Sequence, residues 1–512
     1  MAGAALMGLL AAGTGGCSLV SSDDKSDKPV TVGTTDSITS LDPAGAYDAG
    51  SWALFSNVYQ SLMTYVPGGT TPVPDAAEDC RFTDSGLRVY SCRLRSGLTF
   101  GNGDPLTAKD VKFSFDRVKR INWRTGPAPM LSTLESVQTQ GEDRVVFHLR
   151  TPDATFPFKV ASNAGAIVDG SRYPADRLRT GGEADGSGPY TLKRYRTGSL
   201  AELKPNGKYH GAIKNVGGPV TVKYFTDSAK LSDAWRQGEV DVAYRDLPPA
   251  EIAKLAQSTG DQHVTESAAP HIRNLVFNLR KNSPFAEGAV RQAVASVIDR
   301  SALARDVHHR TVEPLYSVIP QGVTGHTTAF YDRYPQPDPD RARRLLKEAG
   351  VNTPVHFVLA YSQGGAANRD EVTMLKKQLE ATGLFTVDAR YADWNDFQDG
   401  LAKGGFDSYL VSWLGDYPDP DTFTSLVSSD SAMHSGYASP KVDRLIRAAQ
   451  QNQHREQSAE EFRTIQKIIA EDVPLLPLWQ KKQYVVTKQS ISGGQYLTDG
   501  TGLWRLWRLG RI

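Results

Sequence analysis

Short runs in which apolar and polar side chains alternate are interleaved along the chain with longer stretches of helical spacing, the pattern of a mixed α/β protein. Val30–Thr34, Cys92–Arg95, Val145–Arg150, Pro219–Phe225 and Val240–Tyr244 read as strands. Thr107-Ala-Lys-Asp110 caps a helix whose apolar face is Val111, Phe115 and Val118. A second helix runs from Ser228 to Gln237 and ends at Gly238. The extended, apolar segment from Asn274, followed by an amphipathic helix over Ala289–Ile298, marks a crossing into a second lobe. Asp338-Pro339-Asp340 and Ser439-Pro440 each open a further helix, and strands are expected over Pro354–Tyr361 and Phe406–Ser412. The last helix carries Phe462, Ile465, Ile468 and Ile469 and stops at Val473-Pro474; beyond it, Leu475–Trp479 and Tyr484–Thr487 are extended and return to the first lobe. No repeat of fixed period is present, which excludes solenoids and propellers.

Composition narrows the function. The chain of 512 residues exceeds one ordinary domain. Its 58 basic residues balance 57 acidic ones, so no net field favours nucleic acid or an anionic membrane face. Trp504-Arg-Leu-Trp507-Arg508 near the C-terminus is therefore read as a packed terminal strand. Met1–Ala12 is apolar yet too short to span a bilayer, and Cys17 follows it, then a polar stretch without periodicity. Residues 1–16 are read as a signal peptide and 17–28 as a flexible tether. The arrangement resembles a bacterial lipoprotein, in which Cys17 is the lipidated N-terminus; a plain cleaved secretion signal is the alternative. Cys80 and Cys92 flank the turn signal Asp84-Ser85-Gly86, so a hairpin would set them opposite each other. In an exported protein a disulfide is expected there, with two buried thiols as the alternative.

A search for chemistry finds no phosphate-binding Gly-rich loop, HExxH, GxSxG or strand-bounded GxGxxG, so no catalytic residue, metal or cofactor is assigned and the chain is read as a non-enzyme. His308, His309 and Glu313 could be grouped as metal ligands, but adjacent histidines diverge on any regular element, and a solvated turn at a helix end is the expectation. Trp413-Leu414-Gly-Asp416-Tyr-Pro-Asp-Pro420 is different. It follows a strand, where open α/β sheets place ligands, and two prolines stiffen it. An aromatic wall and a carboxylate on a stiff loop suit an ammonium group, although an Asx turn with a buried Trp would also account for the run.

At these residues the chain resembles the extracellular solute-binding protein family 5, the oligopeptide, dipeptide and nickel receptors of ABC importers. The most specific stretch is Leu94–Arg117, with further matches at Leu41-Asp-Pro43, Gly188-Pro-Tyr190, Gly238–Asp241, Asn274–Asn278, Pro339–Gly350 and Asp472–Pro474. The resemblance implies a two-lobed, periplasmic-binding-protein-like α/β fold with two crossings, near 268–278 and 475–484. Lobe I would comprise 29–70, 185–267 and 485–512, its extra subdomain 71–184, and lobe II 268–484. It further implies that Asp416 takes a peptide's α-ammonium, that Trp413 and Leu414 line that pocket, that Ala46 and Tyr47 face it from the opposite lobe, and that Trp123 is a cleft aromatic. The stretch 94–117 would lie away from the cleft. No Arg aligns securely in the loop after 354–361, where dipeptide receptors hold the ligand carboxylate, and Arg369 falls several residues late, which favours longer peptides. The expected partners are a peptide, an ABC permease with its ATPase, and the outer face of the cytoplasmic membrane through the lipid anchor, with the receptor acting as a monomer. A nickel-chelate or oligosaccharide receptor, or a surface signalling receptor, is the alternative.

Overall fold

A computed structural model describes residues 28–362, 366–498 and 503–512. The signal-peptide and lipidation assignments, Cys17 included, and the tether up to residue 27 lie outside the described residues.

One eleven-stranded sheet runs through the molecule. Across it the strands are ordered Phe385–Tyr391, Val355–Tyr361, Ser408–Leu414, Gln262–Phe277, Leu475–Lys488, Val242–Tyr244, Val30–Thr34, Val220–Tyr224, Leu200–Pro205 and Tyr190–Arg196, with Val312–Pro314 added alongside Leu475–Lys488. Two strands of this set are long because they serve both halves of the sheet. Val485 packs into one hydrophobic core with Val30, Val32, Val220 and Val222, whereas Ile272, Leu275, Phe277 and Leu475–Leu478 belong to a second core with Leu359, Leu410 and Ile465. The extended pieces at 475–479 and 484–487 are therefore one continuous strand that leaves one core and enters the other.

The ladder between the two long strands is broken at the crossing. Ala268 faces Lys482 and Ile272 faces Gln480, so Ala269, Pro270 and His271 stand opposite Lys481 alone. A proline is tolerated in such a bulge because no ladder donor is required there. The freed carbonyls find other partners: Gln480 Nε2 donates to Ala269 O (2.9 Å) and the Gly415 N–H donates to Pro270 O (2.9 Å).

A separate four-stranded antiparallel sheet, Ala77–Phe82, Val89–Leu94, Arg144–Leu149 and Leu134–Gln140, is covered by the helix Ala108–Ile121. That helix starts where Asp110 accepts the Thr107 N–H (2.9 Å), and it buries Val111, Phe115 and Val118. Cys80 and Cys92 are direct cross-strand partners, and their sulfurs are joined. At the C-terminus the expected strand is absent. Leu506–Arg508 forms a 3-10 turn that buries Trp504 and Trp507, and only Gly510–Arg511 pairs as a strand, with Ile491–Ser492. Two buried aromatics three residues apart would fall on opposite faces of a strand, so burying both requires an irregular chain there.

The same helix, Ala108–Ile121, reaches out of its subdomain. Arg117 grips both oxygens of Asp42 (2.6 Å each), with both side chains almost fully buried. Asp42 also accepts the Ala44 and Arg179 N–H groups (3.0 and 2.7 Å) and caps the turn Pro43–Gly45. Removing the cation would leave a buried charge without its counter-ion, so Arg117→Ala should lower unfolding free energy by about 3–5 kcal/mol in denaturant titrations. Opening the short Cys80–Cys92 loop with a double Ser substitution should cost about 2–4 kcal/mol in the same assay.

Candidate functional site

The turn held by Asp42 and Arg117 hands the chain to Ala46 and Tyr47. Ala46 is fully buried and its carbonyl accepts the Trp52 Nε1–H (3.1 Å). The Tyr47 ring packs on Trp52 at 5.3 Å between centroids, and its hydroxyl donates to Asp416 Oδ1 at 2.6 Å. This bond joins residues 369 positions apart and spans the two cores.

Asp416 follows the strand Ser408–Leu414, which is paired to the crossing strand with His271 opposite Leu414 and Ile272 opposite Trp413. Together with the Gly415 bond to Pro270, this ties the loop to the crossing itself. Thr422 organises the loop from within: its hydroxyl accepts from the Asp416 N–H (3.2 Å) and from Trp413 Nε1 (3.5 Å) and donates to Asp416 Oδ2 (3.3 Å). The Trp413 indole thus shapes the loop. Asp419, between the two prolines of the run, is clamped by Arg455 through two bonds (2.7 and 2.9 Å).

Around Asp416 the halves of the molecule meet in a seam. Tyr417 lies in the first core against Phe158 (5.8 Å between centroids), and the Ala154 N–H donates to Gln450 O (2.8 Å). Asp416 is closely surrounded by protein, and that burial lifts its carboxyl to about 6 despite the donors Tyr47 and Thr422 and the nearby Lys159 ammonium. Asp421, buried and beside Asp419, is likewise raised to about 6. Burial, reinforced by Asp416, drives the Tyr47 phenol far above its ordinary value, so it stays a donor.

Next to this bond a cavity of about 300 Å³ opens between the two cores. Leu414 and Ala49, two residues along from Asp416 and Tyr47, are part of its wall. The rest was not foreseen from sequence: Arg245 and Asp246, His271 and Arg273 on the crossing strand, His308, Glu371, Trp479 and Lys481. Arg245 and Asp246 are non-glycine residues at φ 68° and 61°, a costly left-handed pair of the kind that collects at binding sites. Ion pairs line the wall: Arg245–Asp36 at 3.0 Å, Lys481–Asp246 at 2.5 Å and Arg273–Glu371 at 3.2 Å. Burial would raise Asp246, but Lys481 and Arg245 outweigh it and hold the group at about 2. His271 is pushed down to about 3 by burial and by Lys481, and burial also lowers His308.

His308 corrects the expectation of a solvated turn. It is buried against Trp479 (4.9 Å between centroids), and its Nε2 has no hydrogen-bond partner among the described residues. The left-handed residues His309 and Arg310 reverse the chain there and turn His308 inward. Glu313 instead pairs with Lys482 at 2.7 Å. No cluster that could hold a metal ion occurs among the described residues. Trp123 stands 49% exposed beyond the capped helix, and among the described residues no hydrogen bond or ring pair links it to Tyr47, Trp413 or Asp416. Arg369 is exposed on the helix Asn368–Glu380. Arg273 arrives instead from the crossing strand and bonds Asn368, at the start of that helix, and Ser412.

Two lobes on two crossing strands, with a cavity at the crossing, are the architecture of a solute-binding receptor rather than of a one-core protein. Residues 71–435 match the bacterial extracellular solute-binding proteins, family 5, and the chain belongs to that family. It is 27% identical to the di/tripeptide-binding protein 2 of Pseudomonas aeruginosa over 85% of this chain and 86% of that protein. It is 25% identical to the probable D,D-dipeptide-binding periplasmic protein DdpA of Escherichia coli, over 88% of each. The fold matches that of the Helicobacter pylori periplasmic binding protein DppA in complex with the peptide STSA, with a TM-score of 0.82 at 20% identity over 95% of this chain and 98% of that one. It also matches Haemophilus influenzae OppA in complex with RPPGFSPFR, with a TM-score of 0.78 at 20% identity over 96% and 99%. No helix among the described residues is long and apolar enough to cross a membrane.

Because burial in the seam makes Asp416 hold its proton more tightly than at its ordinary 3.8, and outweighs the opposing Tyr47 bond, acid favours the buried state of the seam. The gain is fully present below about 3.8 and is lost progressively as pH rises from there through about 6. Small-angle scattering of the protein without added peptide should therefore give a radius of gyration no larger at pH 5 than at pH 8, with any pH difference reduced in Asp416→Asn. A molecule that expands on acidification from pH 8 to pH 5 would contradict the assignment.

Proposed function

We propose that this protein is the peptide receptor of an ABC importer, capturing a short peptide with a free N-terminus between its lobes and delivering it to a membrane permease. The observation that carries the reading is the Asp416 carboxylate, surrounded by protein between the lobes beside the cavity and contacted by neutral donors. A carboxylate offers about four lone-pair directions, and Tyr47 and Thr422 use two of them. An ammonium group added there gains a charge-assisted bond in a place where water competes poorly. The wall of paired charges beyond Leu414 suits the polar backbone of a peptide, and the names of the relatives point the same way.

Cavity size bears on length. At about 300 Å³ it lies at the lower end of the roughly 300–1,000 Å³ usual for ligand sites, which favours di- and tripeptides over longer ones. The contrary expectation rested on the missing arginine after the strand Val355–Tyr361, and Arg273 brings a guanidinium beside that segment from another strand.

Lobe I is assigned to 29–70, 185–267 and 485–512, its subdomain to 71–184 and lobe II to 268–484, moving about the bulge at Ala269–His271. Ligand contacts are assigned to Asp416, Leu414 and Tyr47, with Trp413 and Ala46 shaping the walls and Trp123 at the rim. Binding, not catalysis, is the activity. Export and attachment to the outer face of the cytoplasmic membrane through lipidated Cys17, and action as a monomer, complete the assignment; fatty-acid labelling lost in Cys17→Ala is the test of the anchor.

Calorimetry with alanine peptides of two to five residues tests the function. Di- or trialanine should bind best, and N-acetylation or Asp416→Asn should each weaken binding by two to three orders of magnitude, the equivalent of about 3–5 kcal/mol for a buried charge stripped of its partner. The combined change should be less than additive. Equal binding of free and acetylated peptides, or binding of a chelate or oligosaccharide and no peptide, overturns the reading.

A further inference from the structure

The Tyr47–Asp416 bond is placed by rigid supports on both sides. On the Tyr47 side, the Asp42–Arg117 pair fixes the preceding turn, Trp52 backs the ring, and the Trp52 indole N–H is itself tied to Ala46 O. On the Asp416 side, the carboxylate hangs from a loop pinned to the crossing through Gly415 and Pro270. Its χ2 is of the broad sp³–sp² kind, so the loop alone does not set the plane of the two oxygens. Thr422 contacts Oδ2 at 3.3 Å, a long bond, whereas Tyr47 contacts Oδ1 at 2.6 Å. The short bond from the opposite lobe is therefore the one that fixes the carboxylate's orientation.

The charged groups around Asp416 are otherwise committed. Lys159, on the helix Phe156–Ala161, is bonded to Asp153 at 2.7 Å. Asp419 is held by Arg455, and Asp421 by Gln450 Nε2 at 3.0 Å with the Tyr417 hydroxyl at 3.4 Å. A phenol donates without neutralising, so the carboxylate keeps its full demand for a cation while being aimed.

We propose that Tyr47 is a positioning residue: its hydroxyl, carried by the first lobe, orients the Asp416 carboxylate of the second, so that the site selecting a free ammonium group is built only when the lobes meet. The inference rests on the ammonium reading given above and adds to it the origin of selectivity. An amide N–H in place of the ammonium brings one weak donor and no charge, and it draws little from an aimed carboxylate. The preference for a free N-terminus is thus the quantity that Tyr47 controls.

The test measures affinities of trialanine and N-acetyl-trialanine for the full-length wild-type protein, Tyr47→Phe, Asp416→Asn and the double variant. Phe keeps the ring against Trp52, and unchanged thermal unfolding checks that the fold is intact. The ratio of free to acetylated affinity should fall about tenfold in Tyr47→Phe, the size of one charge-assisted hydrogen bond. In the Asp416→Asn background the same substitution should leave the ratio where it is. A purely structural role would weaken both peptides alike and leave the ratio unmoved. If Asp416→Asn collapses the ratio and Tyr47→Phe does not, or if Tyr47→Phe lowers it equally in the wild-type and Asp416→Asn backgrounds, the role of Tyr47 is refuted and the ammonium reading stands. If wild-type protein binds neither peptide, or shows no preference between them, both fall together.

Discussion

Between Ala268 and Ile272 the ladder joining the two lobes loses its register, and three residues of one strand stand against one of the other. A second, one-residue shift follows at once, where Arg273 faces Trp479 and Asn274 faces Pro477, and beyond these irregularities the two strands are paired into separate cores on either side. The cavity, the loop of Asp416 and the paired charges at Lys481 and Asp246 are all organised around this point. His271 sits in the bulge, Lys481 faces it, and the Pro270 carbonyl holds Gly415. Any rotation of one lobe about the crossing moves the Asp416 loop relative to Tyr47. The contact between these two residues therefore registers the relative position of the lobes.

The capped helix Ala108–Ile121 reveals a second dependence. Its apolar face is accounted for by the small sheet it covers, yet its Arg117 leaves that sheet to neutralise Asp42. The pair sits in surroundings where an unmatched charge is costly, and Arg117 donates two further bonds, to Pro174 O (2.6 Å) and Arg177 O (2.7 Å). A stretch that contributes nothing to the cavity wall thus holds the turn from which the chain passes to Tyr47.

The site combines groups whose protonation is set by burial. Asp416 and Asp421 hold protons more tightly than ordinary carboxyls, while His271 holds one far less tightly. Both effects come from taking charge out of water. Near neutral pH Asp416 is anionic beside the cavity, and His271 in its wall is neutral.

What the sequence determined by itself was local. The capping pattern at Thr107–Asp110, the turn between Cys80 and Cys92 and the prolines at 418 and 420 act within a few residues, and their periodicities and caps show directly in the residue order. The carboxylate on the stiff loop after a strand was legible for the same reason. Only the tertiary structure decided which groups meet. Asp42 and Arg117 are 75 positions apart, Tyr47 and Asp416 369, and Asp246 and Lys481 235. The cavity wall depends on strand register across the crossing, and a one-residue slip would present the other face of the strand bearing His271 and Arg273. His308 was misread because its inward turn depends on left-handed backbone at His309 and Arg310, a conformation that neither residue type announces. Long-range register and rare backbone angles are imposed by packing, and packing is where the sequence pattern stops being informative.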